Sequence, residues 1–300
     1  MSKAKKIREK FSALREMRLL PMSGDLDFEN WLDNFHETTE KEIAAHILEN
    51  FIYFSDGLID QMLRIVVGRC GYYFAKNDST WNHNSFKQNC WFSFVQGENT
   101  DDATDSGYIF TRKLRDKLDI PNERILKFEA LFKKLENSYT PQNVILVDDF
   151  VGTGEQTKVS WNIHRFGSKQ MTLKELQHQF QHRIIYAPLI VNDIGLSTIN
   201  NYCSNLHLEY IHHLGPEYNM FDVNSIYWNG DVMKYNQFIT MMSRIAKEQN
   251  IPYTGVNDIK GFAKQGLALA FSHGIPDACS AFFYWNTSTW KPLMRRQYHR

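Results

Sequence analysis

The sequence predicts an α/β protein built on a parallel sheet, with a helical N-terminal region before it and C-terminal helices as a cap. Three observations lead there. From about residue 88 onward, short apolar runs of strand length alternate with segments of helical period, the pattern of βα units. One run, Val144-Ile145-Leu146-Val147, is apolar throughout and rich in β-branched residues, as suits a strand buried on both faces. Residues 1–80, by contrast, place apolar residues at helical spacing only. The expected division is therefore a helical region over 1–85 and an α/β domain over 86–300.

Composition narrows the classes. Lysine plus arginine equals aspartate plus glutamate at 34 each, so a broad electrostatic nucleic-acid binder is not expected. No apolar run approaches the ~20 residues a bilayer span needs, and the N-terminus is basic and polar rather than a secretory signal. Cys70, Cys90, Cys203 and Cys279 are scattered without a C-x-x-C pair, which suggests reduced, buried thiols and a cytoplasmic location.

The elements follow in order. Ile7, Phe11 and Leu14 give residues 3–20 one apolar helical face. Asp27 can cap a short helix carrying Phe28, Trp31, Leu32 and Phe35. Helices are expected over Lys41–Phe51 and Asp56–Phe74, and a strand over Cys90–Val95. Gly97–Gly107, with four acids and no basic residue, reads as a loop. Helices fit Tyr108–Leu118 and Asn122–Leu135, a strand fits 144–147, and a helix fits 155–166. A strand over Ile184–Ala187 should end at Pro188. A helix over Ser197–Tyr202 and a strand over Leu206–Ile211 follow. Asp231–Gln249 is a strongly periodic helix, Gly261–Ser272 a further one, and Ala278–Tyr284 a final strand.

The stretch that carries chemistry runs from Val144 to Thr157. Four apolar strand residues lead into Asp148-Asp149. A tight loop, Gly152-Thr153-Gly154, and a helix start follow. Open α/β sheets place ligands at the carboxyl ends of their strands. Free N–H groups at a helix start, approached closely through glycines, cradle an anion. Two carboxylates beside such a cradle suit a ligand that offers hydroxyls as well as phosphate, as a ribose 5-phosphate does.

This stretch resembles the phosphoribosyl-pyrophosphate (PRPP) signature of type I phosphoribosyltransferases: four hydrophobics, two acids, a short variable stretch, then Thr-Gly and a hydroxyl residue. Asp148, Asp149, Thr153 and Gly154 fall in register. Two positions depart: Gln156 stands where a hydroxyl is expected, with Thr157 one place later. Gly152 stands where purine-salvage members carry an acidic general base. A second stretch is similar to the C-terminal signature of phosphoribosyltransferase-like proteins of bacterial conflict systems, including effectors that accompany retron reverse transcriptases. It comprises His273-Gly274-Ile275-Pro276, Phe282-Phe283-Tyr284-Trp285 and Trp290 to Arg296. Read without that resemblance, His273 is a helix C-cap residue and the tryptophans are core anchors.

The resemblance implies transfer at C1 of a phosphoribosyl group on PRPP or a nucleotide, within an antiphage effector. Asp148 and Asp149 would orient the ribose, Gly152, Thr153, Gly154, Glu155, Gln156 and Thr157 would hold phosphate, and Ser106-Gly107 would close a pyrophosphate loop. Mg²⁺ would come with the pyrophosphate-bearing substrate. The alternative is a non-catalytic module that senses PRPP or nucleotides through the same pocket.

Other candidates carry less. His178 and His182 lie i, i+4 but lack the glutamate of H-E-x-x-H, so a surface pair is the reading. His212-His213 follows a strand with no partner visible in the sequence. Residues 1–20 hold seven basic side chains against two acidic ones, a net of +5 in a chain of zero net charge. They form either a solvated amphipathic helix or a face that docks a nucleic-acid-bearing partner, such as a reverse transcriptase with its RNA–DNA product.

Overall fold

In chain order, helices α1 (Lys3–Glu16), α2 (Phe28–Asp33) and α3 (Thr38–Glu49) precede strand β1 (Ile52–Phe54) and helices α4 (Asp56–Asn77) and α5 (His83–Asn89). Strand β2 (Cys90–Phe94), α6 (Ser106–Leu118), α7 (Phe128–Glu136), β3 (Asn143–Val151), α8 (Glu155–Asn162) and α9 (Leu173–Phe180) come next. Then follow β4 (Arg183–Asn192), α10 (Asp193–Tyr202), β5 (His207–Leu208), β6 (His212–Leu214), α11 (Val232–Gln249) and β7 (Leu269–Phe271). This is a computed structural model, and it describes residues 2–22, 24–77, 81, 83–96 and 106–296.

Two compact units emerge, residues 60–214 and residues 1–59 with 215–300. The boundary expected at residue 85 falls inside the first of these. Its cause is α4, read as part of an independent helical region: Tyr73 stacks on His207 at 3.8 Å and Arg69 donates to the Tyr210 carbonyl at 2.7 Å, so the helix is fastened to the edge of the sheet at β5.

In the 60–214 unit the strands run β2-β3-β4, all parallel, with β5 and β6 both pairing with β4. Val144, Leu146, Ile184 and Tyr186 face a core completed by α7 to α10 through Leu131, Trp161, Leu176 and Ile199. The alternate residues Phe92, Ile145 and Ile185 share one register row and are fully exposure-free. Burial on both faces is why these strands are apolar throughout.

Pro188 does not end β4, which runs on to Asn192. Its missing N–H shows in the neighbour instead. The strand expected over Leu206–Ile211 is split into β5, opposite Ile185 and Tyr186, and β6, opposite Ile190 to Asn192, with the break beside Pro188.

In the other unit, Trp31 packs edge-on against Phe35 and Phe282, and Trp290 against Phe35. The indole N–H groups of Trp31 and Trp290 both donate to the Phe282 carbonyl at 3.3 Å. The aromatic C-terminal segments are thus core anchors. Residues 281–283 form a 3₁₀ turn rather than the expected strand, because aromatic packing surrounds them instead of alternating from face to face. The helix expected over Gly261–Ser272 is also absent. Gly261, Ala263, Lys264 and Gly266 all have positive φ, and the buried run after them pairs as β7 with β1, itself unexpected in a region read as wholly helical. His273, which therefore caps no helix, stacks on Phe271.

The basic face of α1 is partly neutralised within its unit. Lys3 pairs with Glu49, Arg8 with Asp33, and Arg15 with Glu29. All four cysteines are free and buried, and burial pushes the thiols of Cys70 and Cys90 up.

Each unit also holds one inward histidine in the same tautomer. In His182, Nδ1 accepts the Gln142 N–H at 3.0 Å, so Nε2–H donates to the Leu135 carbonyl at 3.1 Å. In His46, Nδ1 accepts from Lys3 Nζ at 2.6 Å and Nε2–H donates to the Tyr227 carbonyl. Burial lowers both imidazoles below the ordinary 6.5. The unfolded chain therefore binds more protons than the folded one as pH falls below 6.5, so stability is full above that pH and declines as it falls through the lowered values. Replacing both by glutamine should flatten the loss of thermal stability between about pH 7 and pH 5 while lowering the melting temperature at pH 7. Melting curves across that range, compared with the unaltered chain, check it.

Candidate active site at the carboxyl end of the sheet

The site begins with a buried carboxylate. Asp148, near the end of β3, is 6% exposed. Its Oδ2 accepts a 2.7 Å hydrogen bond from the hydroxyl of Tyr186 on β4, and its Oδ1 accepts the Asp149 N–H at 2.9 Å. The β3–β4 register explains the reach: Tyr186 lies opposite Leu146, one pleat below Asp148, and its long side chain spans the diagonal. Burial and the neighbouring Asp148 charge push the Tyr186 phenol well above its ordinary range, so it keeps its proton and donates it to Asp148. Two strands, β3 and β4, meet in that group. The Thr157 side chain is buried beneath the loop.

Asp149 is half-buried, and its Oδ1 accepts the Phe150 N–H at 3.0 Å. The loop Gly152-Thr153-Gly154 then turns the chain into α8. Gly154 has φ 77° and stands at the N-cap with no side-chain cap, so the amides of the first turn are presented at the loop. The glycine serves a second purpose: a Cβ there would lie 2.9 Å from the Gly195 carbonyl oxygen of α10. Conversely, a Cβ on Gly195 would lie 2.8 Å from the Gly152 oxygen and 2.6 Å from Val151 Cγ1. The loop is therefore seated on α10, glycine against glycine. Glu155, which would repel an anion, is paired with Lys158 at 3.0 Å.

The structure thus gathers Asp148, Asp149, Gly152, Thr153, Gly154, Glu155 and Gln156 at one sheet edge, while Thr157 turns its side chain inward. Ser106 and Gly107 open α6, where a Cβ on Gly107 would collide with Phe94 at 2.2 Å. Residues 97–105 of the expected pyrophosphate loop lie outside the described residues. Sequence reasoning missed Tyr186, Gly195 and Ser160, whose hydroxyl donates to the Gln96 carbonyl at 2.6 Å and so ties α8 to the end of β2. The nearest sequence signal was a tyrosine inside an otherwise apolar strand.

His212 and His213 lie in β6 at this same edge, and His213 has a partner: its Nε2 is 2.6 Å from Asp193 Oδ1, at the start of α10. His178 and His182 do not form the surface pair expected of them. α9 ends at Phe180, and His182 is buried beyond it. A cavity of about 1160 Å³ lies beside α9, lined by Arg165, Lys169, Lys174 and Arg183 among others. Arg183 begins β4, so this cavity opens at the amino ends of the strands, away from the loop, and Arg165 there is paired with Glu175 at 2.8 Å.

A parallel sheet with two acids, a glycine loop and an uncapped helix start at one strand end defines a phosphoribosyltransferase-like class. The model of the family described as PRTase-CE matches residues 28–296, and the chain belongs to that family of phosphoribosyltransferase-like conflict-system effectors. No curated protein and no solved structure matches it.

Gly195→Ala alters no residue of the loop yet places a methyl against Gly152 and Val151. It should displace the loop and lower phosphate or nucleoside monophosphate affinity at least about tenfold, while costing about 1–3 kcal/mol in stability. Calorimetric titration alongside denaturant unfolding checks both.

Proposed function

We infer that the protein transfers a phosphoribosyl group at C1 of PRPP or a nucleotide. The observation that carries this is the continuity of Asp148-Asp149 with a glycine loop that opens on the uncapped start of α8. Loop amides would hold the 5-phosphate. Asp149, with Asp148 held rigid by Tyr186 beside it, would accept the ribose hydroxyls and offset the positive charge that develops on the ring. The donors at this edge are two adjacent carboxylates, one tied to a phenol. With these engaged, a Mg²⁺ would come with the pyrophosphate-bearing substrate and take its ligands from phosphate and water rather than from the protein. When bound, the ion supplies charge neutralisation of the pyrophosphate.

Gly152 offers no general base, which keeps the non-catalytic sensor as the second reading. Asp148→Asn with Asp149→Asn separates the two. The double variant should stay folded, since asparagine can still accept from Tyr186, and should lose at least about 10²-fold in pyrophosphate release from PRPP. Unaltered turnover would sink the site assignment. A wild-type chain that binds PRPP without turning it over would favour the sensor.

Membership of a conflict-system family supports an antiphage effector role. The helix face left by the ion pairs of α1 carries the exposed Lys5, Lys6 and Lys10, and these would contact a nucleic-acid-bearing partner such as a reverse transcriptase with its RNA–DNA product. Replacing the three by glutamine should weaken such an assembly and reduce the slope of log affinity against log salt by roughly two to three. Equal assembly at low and high salt would reduce the helix to a structural one.

A further inference from the structure

We propose that His213, held by Asp193, is the general base of this site, in place of the acid that Gly152 does not supply; this rests on the phosphoribosyl-site reading above. The position is fixed by the sheet. Val151, the residue before the loop, is opposite Val191, and Val191 is opposite His213. With strands ~4.8 Å apart, the His213 backbone lies about 10 Å from the base of the loop, across a single strand. Asp193 opens α10, and two residues on, Gly195 is the residue that seats the loop. The pair and the phosphate cradle therefore share one rim and one helix turn.

The chemistry of the pair fits the role. Asp193 Oδ1 accepts from Nε2–H at 2.6 Å, which leaves the Nδ1 lone pair as the basic position and places a carboxylate where an imidazolium would need it. Both side chains are open, 38% and 45% exposed, so an acceptor can reach them. Of the neighbouring acids, Asp148 is engaged with Tyr186 and Glu155 with Lys158, and Asp149 is the one assigned above to the ribose hydroxyls. In the step itself, an acceptor with an N–H or O–H attacks C1, and a bond from its nitrogen or oxygen to C1 forms. The C1–O bond to pyrophosphate breaks, and pyrophosphate leaves with the bonding pair. The acceptor's proton passes to Nδ1 of His213, and Asp193 stabilises the imidazolium.

The test uses the full chain with ¹⁵N-labelled histidine and amides, titrated with ribose 5-phosphate and with adenosine 5′-monophosphate, together with pyrophosphate release from PRPP and Mg²⁺. The His213 ring signals, identified by their loss in His213→Gln, should move with the same saturation curve as the loop amides of 152–157. His213→Gln should bind both probes within about twofold of wild type and lower pyrophosphate release 10²–10⁴-fold. Asp193→Asn should slow release and free the ring from its single Nε2–H tautomer, read in its ¹⁵N shifts. Loop amides that respond while His213 stays still would overturn the proposal and leave the phosphoribosyl site standing. So would full turnover by His213→Gln, or a wild type that binds but releases no pyrophosphate with water or a free nucleobase as acceptor. Loop amides that do not respond would overturn the site reading itself, and this proposal with it.

Discussion

The hydrogen bond from Tyr186 to Asp148 is the contact on which the site depends. A carboxylate exposed to only 6% would be a large cost if it stood unpaired, on the order of 3–5 kcal/mol for a charge left alone in a protein interior. A phenol that keeps its proton, supplemented by the Asp149 amide, satisfies that carboxylate and fixes the end of β3 against β4. The strand end and the neighbouring strand are consequently tied together, and preorganisation of that kind is what the proposed reaction, run by positioning and electrostatics, would require.

Around it, close backbone approach does the work that side chains do elsewhere. A methyl on Gly154 would lie 2.9 Å from the Gly195 carbonyl oxygen, and one on Gly195 would lie 2.6 Å from Val151 Cγ1 and 2.8 Å from the Gly152 oxygen. Ser160 carries the bracing one strand further by bonding both the carbonyl and the N–H of Gln96. The two aspartates are thereby given different parts. Asp148 is a structural charge beneath the site, whereas Asp149 is the half-buried one at its surface. A motif reading treats them as equivalent ribose ligands, while their burial separates them.

Ion pairs shape both flanks of the glycine loop. The acidic start of α8 is offset by Lys158, so the helix dipole can still favour an anion. On the opposite flank, Asp193 sits in the first turn of α10, where a carboxylate is favoured for the same reason, and faces His213. In the other unit, ion pairs to α2 and α3 take up Lys3, Arg8 and Arg15, which leaves the basic helix a smaller charged face than its composition suggests.

The parallel sheet, the strand that carries Asp148-Asp149 and the glycine loop were legible in the sequence, because burial on both faces, turn chemistry and helix capping act over a few consecutive residues. The pairing of β1 with β7, the turn at 281–283 and the split of β5 from β6 were not. Each depends on a partner far away in the chain: Leu269–Phe271 across from Ile52–Phe54, Trp31 and Trp290 around Phe282, Pro188 beside the edge strand. The same holds for the site. The sequence by itself displayed the two aspartates, the glycine loop and the helix start as one motif, since they are contiguous. Only the tertiary structure decided that Tyr186 holds Asp148, that Gly195 seats the loop and that His213 has Asp193 for a partner. Strand register and the crossing of one helix by a loop create those contacts, and neither leaves a periodic trace in the residues that make them.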